Sequence, residues 1–210
     1  GVEKLTMHIK KGECVVLTGA SGCGKTTVTR LINGLSPYFY PGEFHGEIRV
    51  EGAVNEQLNP DRISAKVGSV FQNPRSQFFN LDTTSEIAFT CENLGFNRDE
   101  TLRRVQQSAR KLGIEHLLDK DIFKLSGGEK QMIAIASVLA PDPPVFVLDE
   151  PSANLDAQAT RELVCILKKL KSLGKTIVIA EHRLYYLMDV ADRFIHIEKG
   201  IIAHEWTNRT

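Results

Sequence analysis

The sequence predicts an α/β fold with a largely parallel sheet, and three observations carry that prediction. Short β-branched runs alternate with longer amphipathic ones, the pattern in which strands and crossover helices succeed one another. The run Cys14 to Thr18 opens directly into a glycine-rich loop and then a helical pattern. A second apolar run, Val145 to Leu148, ends in the adjacent carboxylates Asp149 and Glu150, and sheets of this kind gather ligands at the carboxyl ends of their strands.

Taken in order, Leu5 to Ile9 and Glu47 to Val50 are separated by turn residues and read as antiparallel strands, as does Ile201 to Glu205 after the Lys199-Gly200 turn. Together they predict a small β-subdomain. Core strands are expected at Cys14 to Thr18, Lys66 to Val70, Val145 to Asp149, Thr176 to Ala180 and Phe194 to Glu198, with a helix from Lys25 to about Asn33. Between Asn73 and Leu125 the strand signal gives way to helical runs, clearest at Thr84 to Glu92 and Asp99 to Leu112, which predict an inserted helical subdomain. A further helix starts at Ser126 and continues through Ala140 to Pro141. Internal repeats and low-complexity tracts are absent from the sequence.

Composition bounds the function without naming it. The chain of 210 residues is long enough for one well-buried domain, and 42% hydrophobic with 25% charged residues is ordinary for a globular protein. Lys+Arg 26 against Asp+Glu 26 gives no net charge, so nothing in the overall balance calls for nucleic acid or an anionic membrane surface. The longest apolar stretches, such as Ile133 to Ala140, fall far short of the roughly 20 residues a spanning helix requires, and no signal peptide opens the chain, so any membrane link is expected to run through a protein partner. Cys14, Cys23, Cys91 and Cys165 lack metal-ligand spacing and read as reduced packing residues. The first residue is not Met, and the chain reads as trimmed at its N-terminus.

The chemistry lies in short motifs. In Gly19-Ala20-Ser21-Gly22-Cys23-Gly24-Lys25-Thr26-Thr27 the glycines let the backbone wrap a phosphate chain and aim N–H groups inward, while the following helix adds its positive end. Lys25 is expected on the β- and γ-phosphates and the Thr26 hydroxyl on Mg²⁺. Adjacent residues on a strand point to opposite sides, so Asp149 and Glu150 should differ in role. Asp149 is the candidate metal ligand, and Glu150 the general base that polarises the attacking water. In Leu125-Ser126-Gly127-Gly128-Glu129-Lys130-Gln131, Ser126 and Glu129 form a capping box, and two glycines leave the helix start bare for close approach to an anion. The first loop already holds a triphosphate. This second anion site is therefore expected to serve the nucleotide of another molecule.

With Gln72 before that signature, Ser152-Ala-Asn-Leu-Asp156 after the acidic pair and His182 last, the motif order resembles the ATP-binding-cassette family over nearly the entire chain. The resemblance implies a P-loop NTPase (RecA-like) core with an N-terminal antiparallel β-subdomain and an inserted helical subdomain. It implies a single nucleotide-binding domain over 1–210, with a core at about 1–72 and 136–210 and a helical signature part at about 73–135. It assigns Gln72 to metal contact and to linking the core with the helical part, and His182 to the γ-phosphate. Ser126, Gly127, Gly128, Glu129 and Asp156 would complete a partner's ATP site. ATP and Mg²⁺ are the implied cofactors. A second cassette and a transmembrane permease are the implied partners, at the cytoplasmic face of the membrane, with no direct nucleic-acid contact. The other histidines, His8, His45, His116, His196 and His204, read as surface or structural.

Softer features are similar to the energy-coupling-factor branch, whose paired ATPases drive importers of vitamins or transition-metal ions. They are Asn33 to Gly42, Gln72 to Phe79, Glu86 and Glu92 to Gly95. The Phe78-Phe79 pair is either an exposed groove for a membrane partner or subdomain core. One departure stands out. The family stacks adenine on an aromatic residue ahead of the first strand, whereas no Phe, Tyr or Trp precedes Tyr38, and the stacking residue is expected upstream of Gly1. The alternatives are a generic cassette importer or exporter motor, a soluble cassette mechanoenzyme of DNA repair or translation, and a small-molecule kinase on the same phosphate loop.

Overall fold

The computed structural model describes residues 1–54, 60–73 and 77–208. In chain order the first elements are β1 (Cys14–Thr18), α1 (Lys25–Ile32), α2 (Leu35–Tyr38), β2 (Arg49–Val50), β3 (Ala53–Val54), α3 (Pro60–Ser64) and β4 (Val67–Val70). Then come α4 (Thr83–Asn93), α5 (Arg98–Leu112), α6 (Gly127–Leu139), β5 (Val145–Asp149), α7 (Ala157–Ser172), β6 (Thr176–Ala180), β7 (Arg193–Glu198) and β8 (Ile201–Thr207).

The main sheet has the order β4-β5-β6-β1-β7-β8; all neighbours are parallel except β8, which runs antiparallel to β7. Because side chains alternate along each strand, both faces are apolar. Val16, Phe146, Leu148, Ile177, Ile179 and Phe194 face a core shared with α4–α7. Val15, Leu17, Val147, Val178, Ile195 and Ile197 face a second core with Val28 of α1. Such two-sided burial explains why the central strands read as continuous apolar runs.

Helix ends follow capping chemistry. Asp82, Asn97 and Asp156 each accept a hydrogen bond from the backbone N–H three residues on, at 2.8, 3.0 and 2.8 Å. Such caps are each worth about 1 kcal/mol. α5 carries Asp99 and Glu100 in its first turn and Arg110 and Lys111 in its last, matching the helix dipole.

Three expectations need correction. Leu5 to Ile9 forms no strand. Its alternation is genuine, since Leu5, Met7 and Ile9 pack on the second core, but the pattern reports the buried face and not a ladder partner. Of Glu47 to Val50 only Arg49 and Val50 are strand, pairing antiparallel with β3 in a separate two-stranded sheet. β8 belongs to the main sheet instead of a β-subdomain, because the Lys199-Gly200 turn folds it straight back on β7. In addition, the expected 135/136 boundary falls inside α6, which packs on α4 and α5 as well as on α7 and β4. One continuous helix thus joins the helical part to the core.

Candidate functional site

The strand order builds the site. β4, β5, β6 and β1 are consecutive parallel neighbours, so the segments following Val70, Asp149, Ala180 and Thr18 emerge side by side at one sheet edge. Those segments carry Gln72, Glu150, His182 and the phosphate loop.

In the loop, Gly19 has φ +142°, and a Cβ there would meet the Ile197 carbonyl oxygen at 2.2 Å. Only glycine fits that close approach. Gly24 precedes α1 at φ 118° with no side-chain cap, leaving the first-turn N–H groups to other acceptors. Ala20, Ser21 and Gly22 are exposed, Cys23 and Gly24 are buried, and Thr26 and Thr27 are half-buried. Lys25 is only 4% exposed, and its Nζ donates to the carbonyls of Gly19 at 2.9 Å and Ala20 at 3.0 Å. The loop thus carries its lysine folded over its own backbone.

The two acids at the end of β5 diverge, Asp149 as its last residue and Glu150 just beyond it. Thr26 Oγ1 lies 3.5 Å from Asp149 Oδ1, at the edge of hydrogen bonding. Burial pushes the Asp149 carboxyl above its ordinary range, against the opposing hydrogen bond from Thr26. Burial disfavours the anion, and a bound cation would restore it. The Thr26 hydroxyl and the half-buried Asp149 carboxyl, two hard oxygen donors side by side, therefore fit a magnesium ion at this point.

Glu150 faces the other way. Its Oε2 accepts from Gln72 Nε2 at 2.7 Å, and its Oε1 lies 3.0 Å from His182 Nε2. Gln72, Glu150 and His182, expected on three separate segments, meet at one carboxylate. Glu150 has φ +46°, a left-handed backbone conformation that costs roughly 1–2 kcal/mol in a non-glycine residue. Its backbone N–H is pinned to the Ala180 carbonyl at 2.8 Å. This strained link turns the chain out of β5 with the carboxylate aimed between Gln72 and His182.

The signature segment forms its capping box. Ser126 Oγ accepts from Glu129 N at 3.2 Å, and Glu129 Oε2 accepts from Ser126 N at 2.8 Å. Among the described residues no hydrogen bond joins Ser126 to Glu129 with the phosphate loop. Gly127 instead borders a hollow of about 360 Å³ with Gln72, Asn73, Gln131 and Asn154. Gly128 has a packing duty that the motif did not suggest, because a Cβ there would lie 2.7 Å from Ala159 Cβ at the start of α7. Asp156 is exposed and caps α7.

Sequence reasoning passed over Glu181. It is 2% exposed, and its carboxylate accepts from Ser152 Oγ at 2.7 Å, Tyr186 Oη at 2.7 Å, His182 N at 2.8 Å and Arg183 N at 3.2 Å. Burial alone would raise its pKa, but the donors from Ser152, Tyr186 and the backbone prevail and hold it below the usual value. An acidic residue directly after the apolar run Thr176 to Ala180 was the available signal.

The Phe78-Phe79 pair is split. Phe78 packs on the main core, whereas Phe79 is 73% exposed and stacks on Phe89 at 4.9 Å. Leu81 and Phe123 are equally exposed, at 73% each, and Ile122 N donates to Leu81 O at 3.0 Å, which brings their two segments together. Of the Gln72 to Phe79 segment, residues 74–76 lie outside the described residues.

Comparison with known proteins matches this geometry. A family model described as ABC transporter matches residues 2–153. An ABC transporter ATP-binding protein of Treponema denticola is 54% identical over 206 residues, covering 98% of this chain and 42% of that protein. One from Pyrococcus horikoshii is 42% identical over 202 residues, covering 96% of this chain and 71% of that protein. The chain thus spans less than half the length of the first of these relatives. Among solved structures, cbiO1 from Clostridium perfringens, part of the ABC transporter complex cbiONQ, superposes with a TM-score of 0.83 at 30% identity over 99% of this chain and 82% of its own. The ATP-binding cassette MJ0796, in a dimer bound to ADP and Pi, gives 0.83 at 26% identity over 100% and 91%.

Proposed function

The chain belongs to the ABC transporter family, and on that premise we propose that it is an ATP-hydrolysing cassette that pairs head to tail with a second cassette over two ATP molecules and drives a membrane permease. The observation that carries the reading is the Glu150 carboxylate, held between Gln72 and His182 and one residue beyond the Thr26–Asp149 pair. A base, two groups that orient it and a metal-binding pair all stand at the mouth of a phosphate loop. That is the constellation phosphoryl transfer to water requires.

In the proposed reaction Lys25 and the N–H groups at the start of α1 bind the β- and γ-phosphates. Glu150 accepts the proton of the attacking water as its oxygen bonds to the γ-phosphorus, the bond from that phosphorus to the β–γ bridging oxygen breaks, and ADP leaves with that oxygen, giving ADP and inorganic phosphate. Gln72 and His182 fix the two carboxylate oxygens, and His182 touches the γ-phosphate. Thr26, Asp149 and Gln72 are the residues that would hold Mg²⁺, which would offset the negative charge of the phosphates when bound. Ser126, Gly127, Gly128 and Glu129 at the bare start of α6, with Asp156, serve the partner's nucleotide.

For transport, the energy-coupling-factor reading, with vitamin or metal-ion uptake, draws support from the likeness to cbiO1. No helix among the described residues is long and apolar enough to cross a membrane. In the proposed reading the cassette sits at the cytoplasmic face against the permease. The exposed cluster of Phe79, Leu81 and Phe123 is the proposed permease contact. The division into a core and a 73–135 signature part remains a proposal, with α6 as its shared helix.

The decisive experiment is Glu150→Gln. The variant should bind ATP as the wild type does and hydrolyse it about 10²–10⁴-fold more slowly, the range for loss of a positioned general base. Turnover at the wild-type rate would remove Glu150 from the base role, and absence of ATP hydrolysis in the wild type would overturn the reading itself.

A further inference from the structure

Two loops flank Glu150, and neither is held by regular secondary structure. One is the turn from Pro151 to Asp156, the other the segment that begins at His182. Both converge on Glu181. Its Oε2 takes the Ser152 hydroxyl at 2.7 Å and, more weakly, the Ser152 N–H at 3.4 Å. The same oxygen takes the Tyr186 hydroxyl at 2.7 Å. Its Oε1 takes the N–H groups of His182 and Arg183. Ser152 is 0% and Glu181 2% exposed, so the junction is sealed from water. Hydrogen bonds to a buried anion are about twice as strong as neutral ones, and an ionised group so placed is tolerated only because its oxygens are satisfied. A second strap lies outside it, where Arg183 Nη2 donates to the Ala153 carbonyl at 2.9 Å.

We propose that Glu181 is a positioning residue that locks the His182 loop to the loop after Glu150 and thereby sets the His182–Glu150 contact. One end of that contact hangs on Glu181 through the His182 N–H. The other end leaves the strained Glu150 linkage straight into the loop that Ser152 anchors. The 3.0 Å distance between His182 Nε2 and Glu150 Oε1 is thus fixed by a carboxylate that touches neither reacting group. Since Ser152 opens the segment ending in Asp156, the same carboxylate couples the γ-phosphate side of one site to the residues offered to the partner's site. The inference rests on the proposed ATPase reading for its kinetic consequence but not for its structural one.

The test uses Glu181→Gln, with Ser152→Ala and Tyr186→Phe as milder variants that each remove one donor and leave the charge in place. Hydrogen–deuterium exchange should show residues 151–156 and 182–186 losing protection together in Glu181→Gln, with the central strands unchanged. Unchanged protection in both loops, or loss in one alone, would overturn the lock whatever the protein's activity. In steady-state assays kcat should fall about tenfold or more in Glu181→Gln, with KM for ATP within about twofold, and less in the milder variants. Because Glu181 acts through His182, adding Glu181→Gln to His182→Ala should slow hydrolysis no further. Additive losses would show that Glu181 contributes only general stability. If the wild type hydrolyses no ATP, the functional reading fails while the exchange experiment still decides the lock.

Discussion

At the scale of the residue, the site illustrates how one environment divides two adjacent carboxylates. Asp149 stays on the phosphate-loop side against Thr26, while Glu150 is swung by its positive φ toward Gln72 and His182. Glu181 is the third acid of the cluster and the most buried, and its titration gives a checkable sign. Its folded pKa is depressed, so it contributes stability above the unfolded carboxyl value of about 4.3, and that contribution is lost as pH falls through the folded value. The urea midpoint of the wild type should therefore drop more steeply than that of Glu181→Gln as pH falls below about 5. Parallel curves for the two proteins would show that the carboxylate gains nothing from its donors.

The element that matters most is α6. Its capping box and bare glycine start are local features, yet Gly128 also lets the helix press against α7. Removing the cap with Ser126→Ala should cost about 1 kcal/mol of stability and leave the chain's own ATP affinity intact while abolishing most turnover. Paired cassettes make a sharper prediction. Ser126→Ala and Glu150→Gln are each expected to be inactive alone, but a mixed pair contains one site with an intact base and an intact signature. Activity should return on mixing the two proteins. A mixture as inactive as its components would rule out sites shared between chains.

For the whole molecule, the sheet order brings the segments carrying Gln72, Glu150, His182 and the phosphate loop to one edge, and the Gln72 segment runs on in sequence to the exposed Phe79 and Leu81. Glu86 fixes the far end of that path, since its buried carboxylate accepts from the N–H groups of Phe79 and Asn80 at 3.0 and 2.9 Å. Phe79→Ser combined with Leu81→Ser should leave ATP hydrolysis by the isolated cassette unchanged and weaken its recovery with a permease from membranes. Undiminished co-purification would move the transport contact elsewhere.

The sequence by itself determined the central strands, the phosphate loop, the capping box and the place of Glu150 at the end of a buried strand, because each depends on a pattern within a few neighbouring residues. β1, β5 and β6 lie where the apolar runs put them, and the chain belongs to the family that its motif order resembles. What failed were statements about partners. Leu5 to Ile9 alternates as a strand but has no ladder, β8 joins the main sheet, and Phe78 and Phe79 part company. A period of two records which face is buried and says nothing about which backbone lies alongside. The tertiary structure alone decided that Gln72 and His182 share one carboxylate, and that Glu181 reaches Ser152, 29 positions away in the chain. Such contacts arise from the spatial order β4-β5-β6-β1, which long-range packing sets and no local segment encodes.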